Sequence, residues 1–139
     1  MARKPGSRFS GFFASYPLCM HVISALRTAW AGILIADILR RKKDYDDDAL
    51  FDAKGRYGAW DWTSIITMIV TSVIGWGLVV NNFAAEAAWN NWQGYLLFLI
   101  GGKEGDWAYA NLGVFLALVL SFVVTWFARA GRIRRQEQV

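Results

Sequence analysis

Reactive chemistry needs convergent polar side chains, and this chain of 139 residues offers few of them. His21 is the single histidine, which excludes a two-histidine metal site, and no plausible Ser-His-Asp triad is built around it. In its apolar run it reads as a hydrogen-bonded bystander rather than a proton relay. Cys19 is the single cysteine, so no internal disulfide can form, and its apolar surroundings suit a small packing side chain more than a reactive thiol. There is no Walker loop and no glycine-rich phosphate cradle. The acidic run Asp44, Asp46, Asp47, Asp48 and Asp52 lacks the spacing and the glycine of an EF-hand. It suits a solvated turn that caps a short helix at Ala49-Leu50-Phe51. No catalytic residue, metal ligand or cofactor site is assigned, and the chain is not expected to be an enzyme.

What remains is a different kind of chemistry. Asp37 ends an apolar segment one helical turn before Arg40 and Arg41, the spacing of a helix-end ion pair. Further on, Thr67, Thr71 and Gly75 recur every four residues, and so do Gly113, Ala117, Ser121 and Thr125. Small residues at that interval let two helix backbones approach closely, the main source of helix packing in lipid. These rows are expected to face protein. Gly75-Trp76-Gly77 is either a bend point or, more simply, a bulky ring accommodated between glycines.

The elements that carry these residues are long and uncharged. Apolar residues make up 55% of the chain, charged residues only 19%, and there are eight Trp. Residues 62–80 and 107–128 contain no charge. At 1.5 Å per residue each is long enough to cross a hydrocarbon layer of about 30 Å. A third span is expected over residues 16–39, with Pro17 at its start or at a kink and Arg27 inside it. A mid-depth arginine costs roughly 2.5–3.5 kcal/mol on insertion scales, so it calls for a partner, a wet cavity or an interface to snorkel to. The fold expected is an all-α integral membrane protein with three transmembrane helices.

Charge placement orients them. Arg40, Arg41, Lys42, Lys43, Lys54 and Arg56 lie between the first two spans; Arg129, Arg132, Arg134 and Arg135 follow the third. The connection between the second and third spans holds only Lys103. The positive-inside rule then places residues 40–61 and 129–139 in the cytoplasm and residues 81–106 outside. Trp89, Trp92 and Tyr95 suit that outer interface, where half-helices ending at Gly101-Gly102 are expected. Basic residues clustered beside apolar runs fit a lipid bilayer as partner and not nucleic acid.

From Gly32 onward the chain resembles the nucleobase:cation symporter-1 family, which includes purine/cytosine, allantoin and hydantoin permeases. The residues that carry this are Gly32-Ile33-Leu34-Ile35-Ala36-Asp37, then Arg40-Arg41-Lys42-Lys43, Tyr45-Asp46, Ala49-Leu50-Phe51 and Gly55-Arg56-Tyr57. Asn91-Trp92-Gln93-Gly94-Tyr95-Leu96 and Ala110-Asn111-Leu112-Gly113-Val114 look like the purine/cytosine branch in particular. Residues 1–31 match poorly, and Ile38-Leu39 stand where aromatics usually follow the aspartate. The resemblance implies the last three helices of a fold built from two inverted five-helix repeats, with the sites for nucleobase and for a coupling sodium ion or proton among helices outside this segment. It implies a C-terminal fragment of a secondary transporter in the cell membrane, not transport-competent alone, whose partners are the missing N-terminal helices or another membrane subunit. The alternative is a self-standing small membrane protein that acts as a scaffold or regulatory subunit.

Overall fold

The computed structural model describes residues 7–81 and 88–138, with side chains over 15–81, 88–89 and 91–138. Among these residues the chain is all-helical, without a strand. Five α-helices order it: α1 (Ser7–Arg40), α2 (Asp47–Phe51), α3 (Trp62–Gly77), α4 (Leu112–Ala128) and α5 (Ala130–Glu137). Helix α1 has 34 residues, and its stretch Ser15–Arg40 is long and apolar enough to cross a membrane. Pro17 lies inside it. Helix α4 bends by 55° into α5, and only the two together reach spanning length.

Two predicted spans are shorter as helices than their uncharged runs. Helix α3 stops at Gly77, so its 16 residues rise only about 24 Å. The connection that follows captures its last carbonyls: Gly94 N donates to Trp76 O at 3.1 Å, and Leu96 N to Gly77 O at 2.8 Å. A Cβ at Gly77 would lie 2.7 Å from Leu96 Cγ, so a larger residue there would push the Leu96 and Tyr95 side chains away. Leu78, Val79 and Val80 leave the helix yet stay buried. At the other boundary Asn111, with φ +47°, stands in the left-handed region and starts α4 at Leu112 rather than at 107. The Gly75-Trp76-Gly77 segment is thus a helix terminus, where the Trp76 indole donates to Val22 O at 3.3 Å and meets the Trp92 ring edge-on. In place of outer half-helices there are short 3-10 turns at Ala88–Asn90, Leu97–Ile100 and Asp106–Tyr109. They close over an apolar cluster of Leu78, Val80, Leu97 and Ala108. Asn81 and Gln93 sit at this end too, enclosed rather than exposed.

Helices α1, α3 and α4 pack against one another in all three pairings. Their contact faces are built from small and hydroxyl residues. Thr67, Thr71 and Gly75 of α3 and Gly113, Ala117, Ser121 and Thr125 of α4 are all buried. A Cβ added at Gly113 would fall 2.0 Å from Gly75 O, and one at Gly32 would fall 2.1 Å from Ser121 Oγ. The third face belongs to α1: Ala25, Ala29 and Ala36 are fully buried, and Ala25 Cβ lies beside Gly75.

The outside of the bundle reverses the usual pattern. Trp30, Ile35 and Ile38 on α1, Ile66, Ile69 and Val70 on α3, and Phe115, Val123 and Phe127 on α4 are all exposed. Large apolar side chains cover the surface, while threonine, serine, glycine and alanine fill the interior. Arg27 also stands on this outer surface, with no ion-pair or hydrogen-bond partner among the described residues. Cys19 is exposed as well, and His21 Nδ1, though buried, has no hydrogen-bond partner among the described residues.

Candidate functional site

The charged end of the bundle gathers what the sequence scatters. Asp37, in the last turn of α1, is 3% exposed. Its carboxylate accepts from Arg41 Nε at 2.8 Å, one turn on, and forms an ion pair with Arg129 Nη1 at 2.8 Å. The Tyr45 hydroxyl donates to the same carboxylate. Arg129 stands where α4 gives way to α5 and also reaches α3: its Nε is 2.9 Å from Asp61 Oδ2, a charge contact without the alignment of a hydrogen bond. Asp61, just before α3, accepts from Arg132 Nη1 at 2.8 Å and from Ser64 Oγ at 2.5 Å. Two carboxylates and three guanidiniums thus tie the ends of α1, α3 and α4 together.

The loop between α1 and α3 is laid over this cluster. Arg41 lies beneath the Tyr45 ring, 4.3 Å from its centroid, and 5.3 Å from that of Tyr57. Arg41 Nη2 donates to Gln136 Oε1 at 2.9 Å, and Gln136 Nε2 donates to Arg56 O at 3.3 Å. Asp46 caps α2 through Ala49 N at 3.5 Å and pairs with Arg56. Glu137, at the end of α5, accepts from Lys42 N at 2.6 Å and Lys43 N at 3.3 Å. These two amides hold the Glu137 carboxyl below its ordinary range, Lys42 contributing most. Burial, followed by the hydrogen bond to Asp37, pushes the Tyr45 phenol upward. Burial works against the Arg41 charge, but its bonds to Asp37 and Tyr45 outweigh that and raise its pKa.

Of the residues expected at the helix end, the structure brings Asp37 and Arg41 together. It sends Arg40 elsewhere, to the face of Trp126, 5.0 Å from the ring centroid. The reason is helical phase: Arg41 follows Asp37 by four residues and shares its face, whereas Arg40 points toward α4. Sequence reasoning missed Asp61, Arg129, Arg132, Tyr45 and Gln136. A signal was available, since charges bounding three adjacent spans on one side must meet if the spans pack. It also missed the Ala25, Ala29 and Ala36 row on α1.

Beside the ion cluster a cavity of about 410 Å³ opens between α1 and α3. Trp30, Leu34, Ile65 and Met68 form its apolar wall, and Asp37 and Arg129 its charged end. The two carboxylates each pair with two of the three guanidiniums, and these pairs join the ends of α1, α3 and α4. Among the described residues no group of three or more His, Cys, Asp or Glu could hold a metal ion.

No protein-family model matches this chain, and comparisons with curated proteins and with solved structures return no match.

Proposed function

We propose that this chain is a three-span helical unit of the cell membrane. On this reading it is the C-terminal segment of a secondary transporter resembling cation-coupled purine/cytosine permeases, and it does not transport alone. The observation that carries the membrane part is the inverted distribution of side chains. Soluble monomers rarely expose contiguous apolar patches beyond a few hundred Å². Here apolar side chains cover all three packed helices, and buried small residues provide the contacts. In lipid that arrangement is favourable, because helices gain nothing by burying leucine and gain by close backbone approach. The ends of α1, α3 and α4 also carry their charges on one side, as the basic clusters require of an odd number of crossings. The bent α4–α5 pair fits a span followed by a short basic helix turned toward the surface.

The transport part rests on the ordered resemblance from Gly32 to Val114. Incompetence in isolation follows from geometry. Alternating access needs one bundle to rock against another, and three mutually packed helices provide a single bundle. The rival reading, a self-standing scaffold or regulatory subunit, is favoured by one observation: the ion cluster closes within the chain and leaves no obvious unfinished end. In either case the chain should resist alkaline carbonate extraction from membranes. Proteoliposomes containing it alone should show no saturable cytosine or adenine uptake under a sodium or proton gradient. Gradient-driven saturable uptake would overturn the fragment reading. Restoration of uptake by co-reconstituted upstream helices of such a permease would separate it from the scaffold reading.

A further inference from the structure

We infer that the recess between the end of α1 and α5 binds the phosphate of an anionic phospholipid, whose acyl chains run back along the outer surfaces of α1 and α4. The inference rests on the membrane reading given above.

The recess has a volume of about 670 Å³. Its lining comes from the end of α1 and the residues after it, from α4 and from α5, but not from α3. Arg41 touches it from the side and is held by Asp37. Four further cations line it, Arg40, Lys42, Lys43 and Arg134, and none of them is in an ion pair among the described residues. Glu137 is the one carboxylate of the lining. Four cations against one carboxylate leave an excess of three positive charges. An anion is already seated here: Glu137 Oε1 accepts from two successive amides, Lys42 N at 2.6 Å and Lys43 N at 3.3 Å. Successive backbone N–H groups that converge on one oxygen form an anion-binding concavity. The Lys43 ammonium donates to Glu137 O at 2.7 Å, a neutral acceptor that leaves its charge uncompensated. Arg40 lays its guanidinium on Trp126, 5.0 Å from the ring centroid, which leaves the N–H edge of the fork open to an oxygen ligand.

Position and wall decide the occupant. The charged end of the bundle is the cytoplasmic end on the membrane reading, the level at which lipid phosphates meet basic side chains. Leu39 and Trp126 give the recess an apolar wall. One turn further from the charged end, Ile35 is exposed and Phe122 stacks on Trp126 with ring centroids 5.6 Å apart. Inorganic phosphate would answer the cations and leave that apolar strip bare. A zwitterionic phospholipid covers the strip but brings a cation of its own to a recess that has too many. A phospholipid of net negative charge matches both the cations and the strip.

The test is native mass spectrometry of the full chain in a neutral detergent, titrated with phosphatidylglycerol or phosphatidylcholine. The first phosphatidylglycerol should bind more tightly than the first phosphatidylcholine. Arg134→Gln and Lys43→Gln should each weaken that first event about fivefold, the effect of one cation beside an anionic membrane surface. Arg135→Gln removes the same charge from the same helix but lies outside the lining, and should leave it unchanged. Glu137→Gln removes the competing carboxylate and should strengthen it, a gain that misfolding cannot mimic. No preference for phosphatidylglycerol, an equal loss from Arg135→Gln, or a Glu137→Gln variant that binds no better would overturn the inference while leaving the membrane reading intact. Displacement of the lipid by inorganic phosphate at equal concentration would assign the recess to free phosphate, and displacement by polyglutamate would assign it to an acidic polypeptide; either result overturns it. A chain that washes out of vesicles in alkaline carbonate and binds neither lipid would overturn the membrane reading and this inference together.

Discussion

Arg129 Nη1 lies 2.8 Å from Asp37 Oδ1, joining the end of α4 to the end of α1 where both are almost fully buried. A buried ion pair adds little over a well-packed apolar pair, but removing one partner strands the other charge. Asp37 is shared by Arg129, Arg41 and Tyr45, so its loss strands the Arg41 guanidinium and leaves Arg129 with Asp61 alone. Asp37→Ala should destabilise the fold by about 3–5 kcal/mol. Combining it with Arg129→Ala should cost clearly less than the sum of the single changes. Unfolding in mixed detergent micelles measures all three. Additive costs would mean that the two residues act independently.

The small-residue contacts make a sharper steric prediction. Gly113 has no room for a methyl group because a Cβ would meet the Gly75 carbonyl oxygen at 2.0 Å, whereas Gly131 has nothing within 4 Å. Gly113→Ala should cost about 1–3 kcal/mol as the α3–α4 contact is forced apart. Gly131→Ala should be neutral or slightly stabilising, since alanine is the better helix former. Gly113→Leu and Ala117→Leu should reduce the folded fraction in detergent more than Leu112→Ala or Leu116→Ala. Similar losses across all of these would show that the rows do not set the packing.

The three-span reading proposed above puts the charged end of the bundle in the cytoplasm. Cysteines introduced at Asp47 and Arg134, in a Cys19→Ser background, should be labelled only from the cytoplasmic side of intact cells. One at Glu104 should be labelled from outside. Asp47 labelled from outside, or Asp47 and Arg134 on opposite sides, would break the three-crossing arrangement.

The loop latch has an alkaline and an acid limit. The folded chain raises the Tyr45 phenol above its ordinary 10.0, by burial first and by its bond to Asp37 second, so folding binds that proton more tightly than the unfolded chain does. The stabilisation is complete below pH 10 and is lost as pH rises through the elevated value. Ultraviolet titration should show late-ionising tyrosine, and Tyr45→Phe should remove part of that late phase. Glu137 has the opposite sign. Its carboxyl is lowered from 4.5 by the Lys42 amide and then by Lys43, so its contribution is present above pH 4.5 and fades as pH falls through the lowered value. The amide resonances of Lys42 and Lys43 should shift together in that acid range, and Glu137→Gln should abolish the shift.

Local pattern was enough for part of this molecule. Apolar length marks the positions of α1, α3 and α4, and the spacing of small residues marks the buried rows of α3 and α4, because helix periodicity alone puts Thr67, Thr71 and Gly75 on one face. Four-residue spacing likewise suffices for the Asp37–Arg41 pair. Helix ends were not legible in the same way. Absence of charge over 62–80 says nothing about Leu96 N taking the Gly77 carbonyl, a bond that exists only once the connection folds back. Which arginine Asp37 chooses across the bundle was equally hidden. Arg129, Arg132, Arg134 and Arg135 are interchangeable as a basic tail, until the 55° bend after α4 turns Arg129 and Arg132 toward the carboxylates. Sequence determined which segments are apolar and where the charges lie along the chain, since these are properties of neighbouring residues. Only tertiary structure decided which charges meet and which face of α1 is left uncovered, because both depend on how three helices rotate about their axes when their smallest side chains come into contact.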